Sequence, residues 1–109
     1  MNYFPDFETR QAREIVPGVR ARIFWADRMM MMRVDIDAGA VVPMHQHPAE
    51  QAGFVVNGRI KFTINGQSKW LKPGDGYLIP GDAPHMAEAA DQPVQLVEFF
   101  SPVREELKD

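Results

Sequence analysis

The chain contains three histidines, and two of them flank a single glutamine in the stretch MHQHPAEQ, at His45 and His47. Successive side chains of a β-strand point to opposite faces, so His45 and His47 would project from one face, about two residues' rise apart. Two imidazoles placed this way can share one ion. A His-x-His pair also arises by chance on polar surface strands, so the pair alone does not separate a ligand set from a solvated face. The chain has no cysteine, which removes disulfide and thiolate chemistry and leaves imidazole, carboxylate and amide groups to hold any metal.

Placing such a pair takes strands, and the sequence reads as strands. Turn marks recur at Pro17-Gly18, Asp37-Ala38-Gly39, Asn57-Gly58, Asn65-Gly66, Pro73-Gly74-Asp75, Pro80-Gly81-Asp82 and Asp91-Gln92-Pro93. Between them lie short runs rich in β-branched, aromatic or methionine residues, among them RARIFW, AGFVVNG, IKFTING, YLIP and VQLVEFF. Short strands at this spacing argue for an all-β sandwich or barrel. Asn57-Gly58 and Asn65-Gly66 are the dipeptides favoured by two-residue type I′ turns, which predicts two hairpins in the middle of the chain.

Alternation then assigns faces. In IKFTI, Ile60, Phe62 and Ile64 share one face; in VQLVEFF, Val94, Leu96, Glu98 and Phe100 do. The second pattern sets a carboxylate on an otherwise apolar surface. A buried, unpaired Glu98 would be costly, so it needs a partner such as Arg104, substrate or the water on a metal. The alternative is a strand-end glutamate reaching solvent. Met30, Met32, Val34 and Ile36 form one apolar face, while Met29 and Met31 carry apolarity to the other. A strand apolar on both sides must be covered on both, which points to a dimer contact unless the methionines are simply core filler. The first 15 or so residues read as loosely structured or as a strand lent to a neighbouring copy. In the tail SPVREELKD, Ser101 fits an N-cap and Pro102 the first helical position, predicting one or two helical turns.

The totals narrow the function classes. A length of 109 residues suits one domain spanning 1–109. The net charge of −3 offers no electrostatic footprint for nucleic acid. No segment approaches the roughly 20 apolar residues of a membrane span, and no basic stretch followed by an apolar run opens the chain, so a cytoplasmic protein with no membrane partner is expected.

Gly39, five residues, His45-x-His47, three residues, Gln51, six residues and Gly58 are followed 15 residues later by Gly74, five residues, Pro80, and then Pro84-His85. This frame resembles the two motifs of the cupin superfamily, the first at 39–58 and the second at 74–89, with Gln51 where the first motif has glutamate. The resemblance runs from about Val19 to Phe100. It implies a small all-β, double-sheet jelly-roll barrel with His45, His47, Gln51 and His85 on one metal inside it. Glu50 is the competing ligand; if Gln51 points inward, alternation sends Glu50 out. Three imidazoles and an amide oxygen suit a divalent first-row ion such as Ni, Zn, Mn or Fe, with positions left open for water or substrate. Lacking a carboxylate ligand, that site would keep its full positive charge and act as a stronger Lewis acid.

The stretches GVRARIFWADRMMMMRVDIDAGAVVPMHQHPAEQ, PGDGYLIPGDAPH and EFFSPVREEL are similar to one branch of small cupins, the pectin-degradation type. Members of that branch convert 4,5-unsaturated monouronates to the linear keto form, using a carboxylate shortly before an FSP sequence and the arginine after it. By position these are Glu98, where the family usually has Asp, and Arg104, with Phe100 of the substrate pocket between them. The resemblance therefore implies a metal-dependent cupin that opens or tautomerises an unsaturated uronate or a related small-molecule sugar acid, and the strand apolar on both faces adds the expectation of a homodimer. Arg104 would pair bidentately with the substrate carboxylate, with Arg22, Arg33 and Arg59 as other candidates. Two rivals share the scaffold: an iron-dependent dioxygenase, and a non-catalytic metal-dependent sugar-acid binding module, against which Glu98 on an apolar face argues.

Overall fold

Period-two burial turns the short runs into ten strands among residues 2–108, the part that the computed structural model describes; Met1 and Asp109, the ends of the expected 1–109 span, lie outside it. The strands are β1 (Arg13–Val16), β2 (Val19–Trp25), β3 (Met30–Ile36), β4 (Val41–His45), β5 (Glu50–Asn57), β6 (Ile60–Ile64), β7 (Gln67–Leu71), β8 (Gly76–Ile79), β9 (His85–Ala89) and β10 (Val94–Ser101). They form a six-stranded sheet in the order β1-β2-β3-β10-β5-β8 and a four-stranded sheet in the order β4-β9-β6-β7. The pairings are antiparallel. This is the expected double-sheet jelly roll. Among the described residues no helix is long and apolar enough to cross a membrane.

The inward rows of both sheets meet in one core. Met30, Met32, Val34 and Ile36 of β3 and Val94, Leu96 and Phe100 of β10 are buried, as are Ile60 and Phe62 of β6 from the opposite sheet. Strand β9 presents Ala87 and Ala89 inward, and these small side chains keep the barrel from filling beside His85. Glu98 sits in the middle of the buried apolar row of β10.

One expected hairpin forms and the other does not. Asn65 and Gly66 both adopt positive φ, 51° and 80°, and join β6 to β7 directly, as a type I′ turn requires. Asn57-Gly58 instead carries the chain from β5 in one sheet to β6 in the other, with only Gly58 in the left-handed region at φ 82°. A Cβ on Gly58 would collide with the Pro93 carbonyl oxygen and lie 3.0 Å from Val94 Cα. The glycine therefore serves a close crossing of chains at the barrel corner.

Both chain ends also depart from expectation. Strand β1 pairs with β2 at the edge of its own sheet, and the segment before it packs down instead of lying loose: Phe7 meets Phe24 edge to face at 5.0 Å, and Glu8 pairs with Arg33 at 2.6 Å. At the other end Ser101 is still in β10, its hydroxyl donating to the Arg28 carbonyl at 2.9 Å. That bond removes it from capping. The helical turn is a single 3₁₀ turn at Glu105–Leu107, flanked by Arg104 with no side-chain cap. It forms where Leu107 can bury itself against the barrel interior.

Outside the six-stranded sheet, a row of apolar side chains crosses five strands in register. Phe24 stands opposite Met31, Met31 opposite Phe99, Phe99 opposite Ala52, and Ala52 opposite Leu78. Leu78 is 79% exposed, and nearby Met29 and Phe54 are exposed as well.

Candidate metal centre and the carboxylate beside it

Two strand ends and one loop bring the histidines together. His45 closes β4 directly opposite His85, which opens β9. His47 is not on the strand with His45, as same-face alternation would have it; β4 ends at His45, and His47 lies in the connection to β5. The loop turns its ring inward all the same. The three ring centroids stand 4.2, 5.0 and 5.6 Å apart, and one nitrogen from each ring lies within 4.8 Å of the others.

Backbone carbonyls fix which nitrogen faces in. Nδ1 of His45, His47 and His85 sits 2.8–2.9 Å from the carbonyl oxygens of Pro43, Ala49 and Ala83 respectively. An oxygen that can only accept requires each Nδ1 to donate, so each neutral ring keeps a bare Nε2. Burial, foremost, holds the His47 and His85 imidazoles below the ordinary histidine range, with the positive charge of Arg104 adding to the effect. Neutral imidazole is the ligating form.

The donor set fits a cation. His85 Nε2 is buried with no hydrogen-bond partner, and an unsatisfied buried acceptor is costly. His47 Nε2 faces Gln51 Oε1 at 3.1 Å, which sets two lone pairs against each other. A divalent ion would satisfy all of these at once, and the set of three imidazoles and an amide oxygen suits the first-row transition metals. Gln51 is buried and Glu50 exposed, so alternation along β5 turns the amide, not the acid, toward the rings.

Gln51 also faces the other way. Its Nε2 donates to Glu98 Oε2 at 2.6 Å. A glutamate at this position would lack the donor and would bring a second carboxylate against the first, which disfavours the charged form of both. The amide is the group that can present oxygen to the histidines and N–H to a carboxylate.

Glu98 is buried on β10, with Met32 of β3 on one side and Gly53 of β5 on the other. It does not reach solvent at a strand end. Besides Gln51, the Tyr77 hydroxyl donates to Oε2 at 2.7 Å; of the expected partners, Arg104 makes no hydrogen bond to it and instead pairs with Glu106 at 2.9 Å. Desolvation pushes the Glu98 carboxyl above the usual range, opposed by hydrogen bonds from Tyr77 and Gln51 and by the charge of Arg104. Burial, and then the adjacent carboxylate, push the Tyr77 phenol far up, so it remains a protonated donor.

Tyr77 was not singled out from the sequence. Alternation in GYLI sets Tyr77 and Ile79 on one face, and a phenol facing a core needs a hydrogen-bond partner, which was the available signal.

An interior cavity gathers His45, Gln51, His85, Glu98, Phe100 and Arg104 on its walls, together with apolar residues including Met86 and Leu107. Phe100 is buried and lies edge-on to His47 at 5.6 Å, and the Arg104 guanidinium stands 5.0 Å over its ring. The other arginines face elsewhere. Arg22 and Arg33 stand opposite each other on the outward rows of β2 and β3, and the guanidinium of Arg59 lies 5.3 Å over Trp70.

Comparison with known proteins gives concordant results. The sequence pattern described as "Cupin domain" matches residues 32–100. The chain is 32% identical over 104 residues to the pectin degradation protein KdgF of Dickeya dadantii, covering 94% of each chain. The structure of KdgF from Halomonas sp. superimposes with a TM-score of 0.91 at 28% identity, covering 99% of this chain and 100% of that one. A second solved structure, an RmlC-like cupin from Shewanella frigidimarina, gives a TM-score of 0.92 at 26% identity, covering 99% and 97%.

Proposed function

Since this chain belongs to the cupin domain family, we propose that it uses a divalent metal to open or tautomerise a 4,5-unsaturated uronate or a related sugar acid. The observation that carries this reading is a buried carboxylate, Glu98, that shares one cavity with His45 and His85 and is bonded to Gln51, beside three converging imidazoles. The likeness to a pectin degradation protein supports the substrate class.

Opening such a ring breaks the C1–O5 bond, removes the proton of the C1 hydroxyl, passes an electron pair to the former ring oxygen, and delivers a proton to C4. The products are an aldehyde at C1 and a ketone at C5, so atoms and charge balance without an oxidant. A metal held by His45, His47, His85 and Gln51 would supply positive charge where the oxygen becomes anionic. Glu98 would take up or deliver the proton from within the cavity. Arg104 would pair with the substrate carboxylate, and Phe100 would present an apolar wall that keeps the pocket closed to water.

The same reading includes a homodimer, supported by the apolar row from Phe24 to Leu78 on the outer sheet face. Large exposed apolar patches on soluble proteins mark contact surfaces. Sedimentation velocity is expected to give twice the chain mass, with a charged residue in place of Leu78 shifting it to the monomer; a monomeric wild type would remove this part. A cytoplasmic site of action is part of the proposal.

The test mixes metal-loaded protein with a 4,5-unsaturated monouronate and follows loss of the enoate's ultraviolet absorbance against spontaneous decay, with a chelated control. Faster, metal-dependent loss is expected. No acceleration with several divalent metals would overturn the reading, and oxygen uptake dependent on Fe(II) without uronate turnover would favour a dioxygenase.

A further inference from the structure

Glu98 has two carboxylate oxygens, and both hydrogen bonds described above converge on one of them, Oε2. The carboxylate is thereby held from one side while Glu98 still lines the cavity. The donors come from different directions. Gln51 belongs to the candidate metal centre, but Tyr77 comes from β8, the edge strand of the six-stranded sheet.

Distance makes the second contact unusual. Tyr77 stands opposite Gly53, and Gly53 stands opposite Glu98, so the phenol has to cross the whole of β5 to reach its acceptor. Two strand spacings amount to about 10 Å. The crossing passes over position 53, and only a residue without a side chain leaves room for it. A Cβ on Gly53 would lie 2.5 Å from Tyr77 Cζ, nearer still to its hydroxyl, and 2.8 Å from the Val97 carbonyl oxygen. Gly53 has no positive φ, so clearance, not backbone conformation, is what the glycine supplies. From the opposite sheet Phe62 stacks on the Tyr77 ring, with centroids 4.1 Å apart and planes inclined by 26°.

We propose that Tyr77 is a positioning residue for Glu98, fixing Oε2 so that the other oxygen addresses the substrate, and that Gly53 is the gap that allows it. The proposal rests on the uronate-opening reading for its catalytic meaning. The three residues act as a unit: Phe62 orients the ring, Gly53 lets it pass, and the phenolic O–H holds the carboxylate. Loss of the hydroxyl leaves Oε2 with the Gln51 bond alone and loosens the carboxylate, and misplacement of a reacting group by about 1 Å can cost about a hundredfold in rate.

The test uses the metal-loaded full chain and Tyr77→Phe, which keeps the ring and its stacking on Phe62. Expected are a fall in kcat of about ten- to a hundredfold, KM within about twofold of wild type, and unchanged metal content. The Glu98 side-chain carboxyl resonance, observed by carbon NMR of glutamate-labelled protein and assigned with Glu98→Gln, is expected to shift. Gly53→Ala is expected to reproduce both changes without altering either hydrogen-bonding group; if it does not fold, Tyr77→Phe decides alone. Wild-type kcat in Tyr77→Phe would overturn the proposal, as would wild-type kcat in a folded Gly53→Ala. A wild-type protein that does not open the uronate would sink the functional reading instead, and positioning would then be decided by the resonance: shifted in Tyr77→Phe if the proposal holds, unmoved if it fails.

Discussion

Glu98→Gln is expected to lower kcat for uronate opening by about 10²- to 10⁴-fold, the range that a positioned proton-transfer group contributes, while metal content and fold are retained. The geometry explains why the loss should be so selective. Gln51 Nε2 and the Tyr77 hydroxyl both donate to a single oxygen of Glu98, and the amide oxygen of the replacement can accept both bonds. Its NH₂ then takes the place of the remaining carboxylate oxygen, where it can neither accept nor hold the proton. Stability should not suffer, because burial already works against the charged carboxyl and a neutral amide is less costly to hold away from water. Single-turnover absorbance, metal analysis and a thermal melt check the three parts together. Turnover at the wild-type rate would remove Glu98 from the chemistry.

His47→Ala is the second large effect, and it acts on the metal. The ring supplies the Nε2 that faces Gln51 Oε1 and packs edge-on against Phe100. Changes outside the ligand set cost about 10–100-fold in metal affinity or activity, so removal of a ligand is expected to cost more than that, with turnover falling in step at limiting metal. Gln46→Ala is the control: Gln46 is exposed between the two histidines, and its loss should leave affinity unchanged. Calorimetric titration with a divalent ion reads both variants. Undiminished affinity in His47→Ala would take this residue out of the ligand set.

Much of the arrangement was legible because it depends on alternation. The pattern of VQLVEFF places Val94, Leu96, Glu98 and Phe100 inward, and they are inward. The resemblance to the two cupin motifs likewise anticipates the convergence of His45, His47 and His85, although a loop and not a strand carries His47. What escaped depends on pairings distant in sequence. Asn57-Gly58 is good evidence for a turn but carries no information on which sheet receives the next strand. Glu98 required a partner, yet only the order β8-β5-β10 shows that Tyr77 lies two strands away across a glycine. Ser101 had the right side chain for a helix cap, and the nearby Arg28 carbonyl competed for it.

The three carbonyls that receive the histidine Nδ1 protons each lie within two residues of their own ring. Local chain geometry therefore sets the tautomer of each imidazole before any ion arrives. Loading a cation onto the inward nitrogens of the neutral rings needs neither expulsion of a proton nor reversal of a ring. The conformational entropy of aligning the rings is lost during folding and not again at capture. The centre is preorganised by contacts that each span two residues of chain.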